Sequence, residues 1–329
     1  MNDNLNIALS TLKGNNTVGA NNLTSIKKSV NLGDWINAQI GKGLLNVDPD
    51  GHPITSSGGL TTQPNYLLGL QPAVLTATSK DNIFLGNNVG SNITRDANNN
   101  VIIGKESGSQ GTFRFAERNT IIGYQAGVNM TGGDDNVLLG TQAGNNILSG
   151  SSNILMGWRS GYTGTTITGN IFLGSGSGSY LGTGSNNIMV GATAGYYKAS
   201  GNNNILIGNS AGRTAGGINS VMVGSFAGRN NTGGACVFLG HYAGFNETGA
   251  NKLYISNSDT ANPLIKGDFS TGVLEINSTL VIKSQTAAAA SALTPAEGML
   301  VNVSTTDGTF TSTGLWLYQG AAWTKFTVV

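Results

Sequence analysis

Residues able to do chemistry are sparse in this chain. His52 and His241 are the only histidines and Cys236 the only cysteine, so neither an intrachain disulfide framework nor a Cys-rich zinc site can form. The acids nearest to forming a pair are Asp134 and Asp135, with Glu106 and Glu117 behind them. A glycosidase needs two facing carboxylates at a set separation, whereas neighbours in a strand or loop point apart. Asn46-Val-Asp48-Pro-Asp50-Gly51 echoes the first half of a calcium loop. Its twelfth position is Ser57 where Glu is needed, and Pro49 sits inside, so it reads as a turn. Gly174-Ser-Gly-Ser-Gly178 lacks the spacing of a phosphate-binding loop. The sequence therefore leads to no catalytic, cofactor-binding or metal-ligating residue, and to a protein that is not an enzyme. What remains is a set of aromatic residues, Tyr124, Trp158, Phe226 and Tyr242, with His241, Tyr162, Tyr196, Tyr197 and Phe245 close by. Exposed rings of this kind can stack on sugars.

The elements that must position these residues form a repeat. From Asp81 to about Ala250 one pattern recurs ten times: Asn, three apolar residues, Gly, two variable residues, a small residue, Gly. Asn136-Val-Leu-Leu-Gly-Thr-Gln-Ala-Gly144 is a clear copy. The first glycines are Gly86, Gly104, Gly123, Gly140, Gly157, Gly174, Gly191, Gly208, Gly224 and Gly240, and a second glycine follows four residues after each. Glycines at this interval exclude a helix, because each would cost about 1 kcal/mol relative to Ala. A short aliphatic triplet between Asn and Gly is a strand bounded by turns. The expected fold is all-β: a β-solenoid or β-roll of ten coils of about 17 residues, stacked at ~4.8 Å per coil. Hexapeptide helices and calcium-binding nonapeptide repeats fit less well.

Asn82, Asn100, Asn119, Asn136, Asn153, Asn170, Asn187 and Asn204 precede the triplet. Stacked in register, they can form an Asn ladder. Ser220 and Cys236 take this place in the last two coils, so Cys236 reads as a small residue in a ladder slot. The middle residues of the triplet are Phe84, Ile102, Ile121, Leu138, Leu155, Phe172, Met189, Leu206, Met222 and Phe238, none of them polar. Side chains alternate across a strand, so the middle residue of a lone solenoid is expected to meet solvent. Leaving ten such side chains wet forgoes roughly 1.5–3 kcal/mol each. The expectation is that these ten residues form the core of a homo-oligomer.

The flanks differ. Residues 1–80 lack the repeat and read as an anchor ordered by a partner, with Asp34–Ile40 as a short helix. Residues 251–292 read as transition strands that leave the repeat register, followed by a small-residue linker at Ala287–Ala292. Residues 293–329 read as a small β-module, with strands at Gly298–Val303, Gly314–Tyr318 and Trp323–Phe326, able to cap an open shaft end. Charge is nearly balanced, Lys+Arg 17 against Asp+Glu 16, and charged residues make up 10%. No basic excess exists to neutralise phosphates, which argues against nucleic acid. No apolar run approaches the ~18 residues of a membrane span, so membrane insertion is not expected. The start, Met1-Asn-Asp-Asn-Leu5, lacks the basic and apolar regions of a secretory signal.

The repeat resembles the β-roll repeats in the heads of trimeric autotransporter adhesins, and repeat arrays in bacteriophage fibres. Asn251-Lys-Leu-Tyr-Ile255, Gly267-Asp-Phe-Ser-Thr-Gly-Val-Leu274 and Gly314-Leu-Trp-Leu-Tyr with Trp323 resemble pieces of structural proteins of crAss-like phages. That resemblance implies a parallel homotrimer on the virion surface, a head fibre or short tail fibre. It also implies that residues 1–80 dock on a capsid or tail protein. Host-surface polysaccharide is then the partner expected for the aromatic rings. A bacterial surface adhesin and a tail-spike glycan depolymerase are the alternative readings.

Overall fold

A computed structural model describes residues 66–68 and 79–326, apart from 92–96, 111–115, 198–199 and 215. The Asp34–Ile40 helix, the Asn46–Ser57 turn, His52 and nearly all of the segment 1–80 lie outside the described residues. The chain divides into two units, Met1–Glu275 and Ile276–Val329.

The first unit is a β-solenoid. Its strands are β1 (Tyr66–Leu68), β2 (Ile83–Leu85), β3 (Val101–Ile103), β4 (Thr120–Ile122), β5 (Val137–Leu139), β6 (Ile154–Met156), β7 (Thr166–Thr168), β8 (Ile171–Leu173), β9 (Thr183–Ser185), β10 (Ile188–Val190), β11 (Ile205–Ile207), β12 (Val221–Val223), β13 (Val237–Leu239) and β14 (Lys252–Ile255). All but β7 and β9 stack in parallel as one sheet, which gives about twelve turns where the repeat predicts ten. One turn is added at each end of the repeat. The sequence reading has β14 among strands that leave the repeat register, but it stays in it. It pairs in parallel with β13, Phe238 opposite Tyr254. Register is strict, with middle residue on middle residue: Leu138 opposite Leu155 and Leu155 opposite Phe172. The short strands β7 and β9 form a second parallel pair on another side of the coil. β15 (Ile265–Asp268) then reverses and pairs antiparallel with β14, and β16 (Val273–Ile276) follows it in the sheet order.

The face assignment of the triplet is the opposite of the expected one. Every middle residue from Phe84 to Phe238 is 0% exposed within the single chain. These residues are the solenoid's own core, sharing one cluster with Ala126, Met130, Ala143, Ile147, Ile167 and Leu181. The cover missing from the sequence reading is the chain itself. The second glycine of each coil sits in the left-handed region, Gly144 at φ 56°. A Cβ there would lie 2.8 Å from Ile147 Cδ1 and 3.0 Å from both Leu138 methyls. Glycine lets the backbone turn back directly over its own strand and close the coil. The outer two residues of each triplet, by contrast, point out of the solenoid and are half-buried or exposed, as at Ile154 (37%) and Met156 (38%).

The first glycine of each coil solves a different problem. Gly157 has φ 133°, and a Cβ there would lie 2.5 Å from the carbonyl oxygen of Gly174 in the next coil. Backbone stacks on backbone in this column, and any side chain would hold the coils apart. The residue before the second glycine is small and buried in the same way, Ala126, Ala143 and Ser160 among them.

The buried asparagines complete the stack. Asn170 donates its backbone N–H and its Nδ2–H to Asn153 Oδ1, both at 3.1 Å, and Asn153 does the same to Asn136 Oδ1 at 3.1 and 2.9 Å. The second Nδ2–H of Asn153 goes to the Ile167 carbonyl at 2.8 Å. This bonding runs from Asn82 to Asn204, so side chains that are fully buried have their donors met, as burial of amides requires. At the top, Ser220 N–H bonds Asn204 Oδ1 (3.2 Å) and Cys236 N–H bonds Ser220 Oγ (3.3 Å). Cys236 is 0% exposed, and burial pushes its thiol pKa up, away from nucleophilic use.

The second unit is a four-stranded sheet: β17 (Ser284–Gln285), β18 (Leu300–Val303), β19 (Gly314–Gln319) and β20 (Ala322–Lys325). Ala287–Ser291 is not a linker but a helix, α1, capped by Thr286, whose hydroxyl accepts from Ala289 N–H at 3.2 Å. Ala287 and Ala290 pack in one cluster with Val301, Val303, Phe310 and Trp316. Small side chains here bring a helix close to a sheet. The β19–β20 hairpin turns through Gly320 (φ 60°) and Ala321 (φ 65°), the two-residue geometry with positive φ at both positions.

Candidate functional site

The variable positions beside the glycines build an edge of aromatic rings and arginines. Each coil offers a site two residues after its first glycine and another just after its second glycine, and stacking turns these sites into columns. Toward the middle of the shaft, the Arg159 guanidinium lies over the Trp158 ring (4.7 Å) and the Tyr162 ring (4.8 Å). Arg159 Nε donates to Gln142 Oε1 at 2.7 Å, which fixes its direction. Above it, Tyr180, Tyr196 and Tyr197 pack together with ring centroids 4.6–5.5 Å apart. Arg213 lies over Tyr197 (4.8 Å) and Tyr196 (5.5 Å). Tyr196 reaches this place because its neighbouring slot is Gly176, where a Cβ would meet the ring at 2.9 Å. Burial first, and then a hydrogen bond with Tyr180, raise the Tyr196 hydroxyl pKa. Trp158 (48% exposed), Tyr197 (48%) and Tyr180 (39%) stay partly open to solvent. Nearer the top, Phe226 and Tyr242 stack at 4.8 Å, with Phe245, His241 and Arg229 around them.

Of the aromatic residues predicted for sugar contact, Phe226 and Tyr242 come together and half-bury each other. Trp158 stands with Arg159 some coils below them, and Tyr124 lies further down beside Lys105, whose amine is 5.9 Å from its ring. Sequence reasoning missed Arg159, Arg213, Arg229 and Tyr180. Their signal was the charge map: the sequence holds no Asp or Glu between Asp135 and Glu247, while Arg159, Lys198, Arg213 and Arg229 fall inside that stretch.

The acids lie elsewhere on the shaft and are engaged with neighbours. The Arg118 fork takes both carboxylate oxygens of Asp135 (2.7 and 3.1 Å) and reaches Glu117 at 2.7 Å and Asp134 at 3.7 Å. Arg118's hydrogen bonds hold the Asp135 carboxyl below its usual range. Glu106 is likewise lowered, chiefly by accepting from Gln125 Nε2 at 2.8 Å. A general acid in glycoside cleavage needs the opposite shift. Among the described residues, no three of His, Cys, Asp and Glu gather closely enough to hold a metal ion, and no helix is long and apolar enough to cross a membrane.

A second surface is defined by the outward pair of each triplet. From Ile83 and Leu85 at one end to Val237 and Leu239 at the other, every one of these residues but Thr120 is apolar, and each is half-buried or exposed. Comparisons with family models, with curated proteins and with solved structures gave no match.

Proposed function

We propose that the chain is a non-enzymatic structural fibre of a phage particle: a homotrimer with residues 1–80 docked on a capsid or tail protein. Its shaft projects outward, and the aromatic edge meets host-surface polysaccharide. The observation that carries this reading is the outward apolar stripe. Ten coils contribute two side chains each, which reaches the roughly 20–30 residues a side of a stable interface. The occupant is further copies of the same chain, because a stripe with one pair of side chains per coil is matched best by a surface of the same period. The count of three and the virion setting come from the resemblance to phage fibres. The middle residues are already buried in each protomer and take no part in the interface.

The test is a deletion of residues 1–80 expressed in place of the full chain during infection, with particles purified and probed by an antibody to the shaft. The expected result is a soluble oligomer absent from particles, while the full-length chain decorates them. A truncated chain that still decorates particles contradicts the anchor. A full-length chain that is never found on particles contradicts the virion reading.

A further inference from the structure

The aromatic edge carries a charge pattern that narrows its ligand. Arg159 lies over Trp158 and Tyr162, Arg213 lies over Tyr196 and Tyr197, and neither arginine has a carboxylate within ion-pair reach among the described residues. The nearest acids along the sequence, Asp135 and Glu247, are both engaged, Asp135 by Arg118 and Glu247 by the Tyr254 hydroxyl and Gly249 N–H. The guanidiniums lie over aromatic rings, and Arg159 is further held by its bond to Gln142, which pre-orients them and lowers the entropic cost of using them. Unneutralised arginines grouped on one face focus positive potential there, even though the whole chain is nearly neutral.

We propose that this edge binds an acidic polysaccharide, a chain whose sugars carry carboxylates, rather than a neutral one. The proposal rests on the reading of the edge as a glycan contact and adds the sign of the ligand's charge. Sugar rings pack against the solvent-open parts of Trp158 and Tyr197. Their carboxylates take paired N–H donors from Arg159 and Arg213, the geometry at which arginine is strongest. The two arginines stand three coils apart, roughly 14 Å at ~4.8 Å per coil, so one extended saccharide strand running along the shaft meets both.

The experiment measures binding of the full-length protein to polygalacturonate, dextran and polyphosphate by biolayer interferometry, at low salt and at 0.3 M salt. The expected result is saturable binding to polygalacturonate that weakens with salt and little binding to dextran or polyphosphate. Arg159→Gln with Arg213→Gln should weaken the polygalacturonate signal at least tenfold, with the thermal melt unchanged. Tyr197→Ala, which leaves the charge intact, should weaken it as well. Equal binding to dextran would overturn the charge assignment and leave the glycan reading standing. Equal binding to polyphosphate, or no effect of Tyr197→Ala, would overturn sugar recognition in favour of bare charge attraction. Binding to neither polysaccharide would overturn both.

Discussion

Asn153 shows how much one side chain does in this fold. Its Oδ1 accepts two N–H groups from Asn170, and its Nδ2 bridges Asn136 and the Ile167 carbonyl. Asn153→Leu would strip two buried donors of Asn170 and one carbonyl of their partner, at about 1–3 kcal/mol for each orphaned group. The urea midpoint should fall sharply, and Asn153→Ser, which imitates the Ser220 slot, should cost less. Thr193 offers a change of opposite sign. It holds φ 54° with a β-branched side chain, a conformation that costs a non-glycine residue of order 1 kcal/mol. In the neighbouring coil the same slot is Gly176. Thr193→Gly should raise stability by about 0.5–1 kcal/mol in a thermal melt, net of its lost bond to Ser210. The asparagine and glycine columns are readable in the sequence because each recurs in nearly every coil. Arg213 and Arg229 follow the second glycine in successive coils, but the same slot holds Val128, Asn145, Ser179 and Phe245 elsewhere, and Arg159 is the one arginine in its column, so no periodicity along the repeat marks them. Only the sheet stacking brings them beside the tyrosines.

At the level of the coil, the glycine column is the tightest constraint. Gly157→Ala would place a methyl 2.5 Å from the Gly174 carbonyl and demand φ 133° of an L-residue. A loss well above the ~1 kcal/mol of an ordinary Gly-to-Ala change is expected, read as a lower urea midpoint by circular dichroism. The strand pair that ends the stack sets a pH limit. Lys252 Nζ lies 2.6 Å from Asp268 Oδ2, and this contact, then Ser270, hold the Asp268 carboxyl well below its usual range. A carboxyl depressed in the folded state contributes stability that is complete above the unfolded value of about 3.9. That contribution is lost as pH falls through the folded value. Stability should therefore be flat from neutral pH to about pH 5 and decline below 4, with a shallower acid-side decline in Asp268→Asn. Element type, period and strand positions were legible in the triplets. Which face of the triplet turns inward was not, because both faces are apolar and period-two alternation cannot choose between them. The choice is made by the second glycine, which folds the chain over the middle residue. The Ala287–Ser291 helix was hidden for a related reason: a run of alanines reads as a linker until Val301, Phe310 and Trp316 stand beside it.

Over the whole molecule, the single chain buries the middle residues on one side of its main sheet completely and leaves the apolar residues of the other side half-buried or exposed. Burial of apolar surface stabilises at about 25 cal/mol per Å², and on the proposed reading further copies of the chain cover this band. Substituting the band at mid-shaft, as in Ile154→Lys with Ile207→Lys, should separate the protomers while the circular dichroism of the sheet persists, because both side chains point outward. The same pair of changes at inward positions, Leu155→Lys with Leu206→Lys, should abolish folding altogether. The most direct measurement is the mass of the purified full-length protein in dilute buffer by light scattering. The account predicts a stable species at three times the 33.7 kDa of the chain, reduced to one chain by the outward substitutions. A well-folded species at 33.7 kDa for the unaltered protein would contradict it.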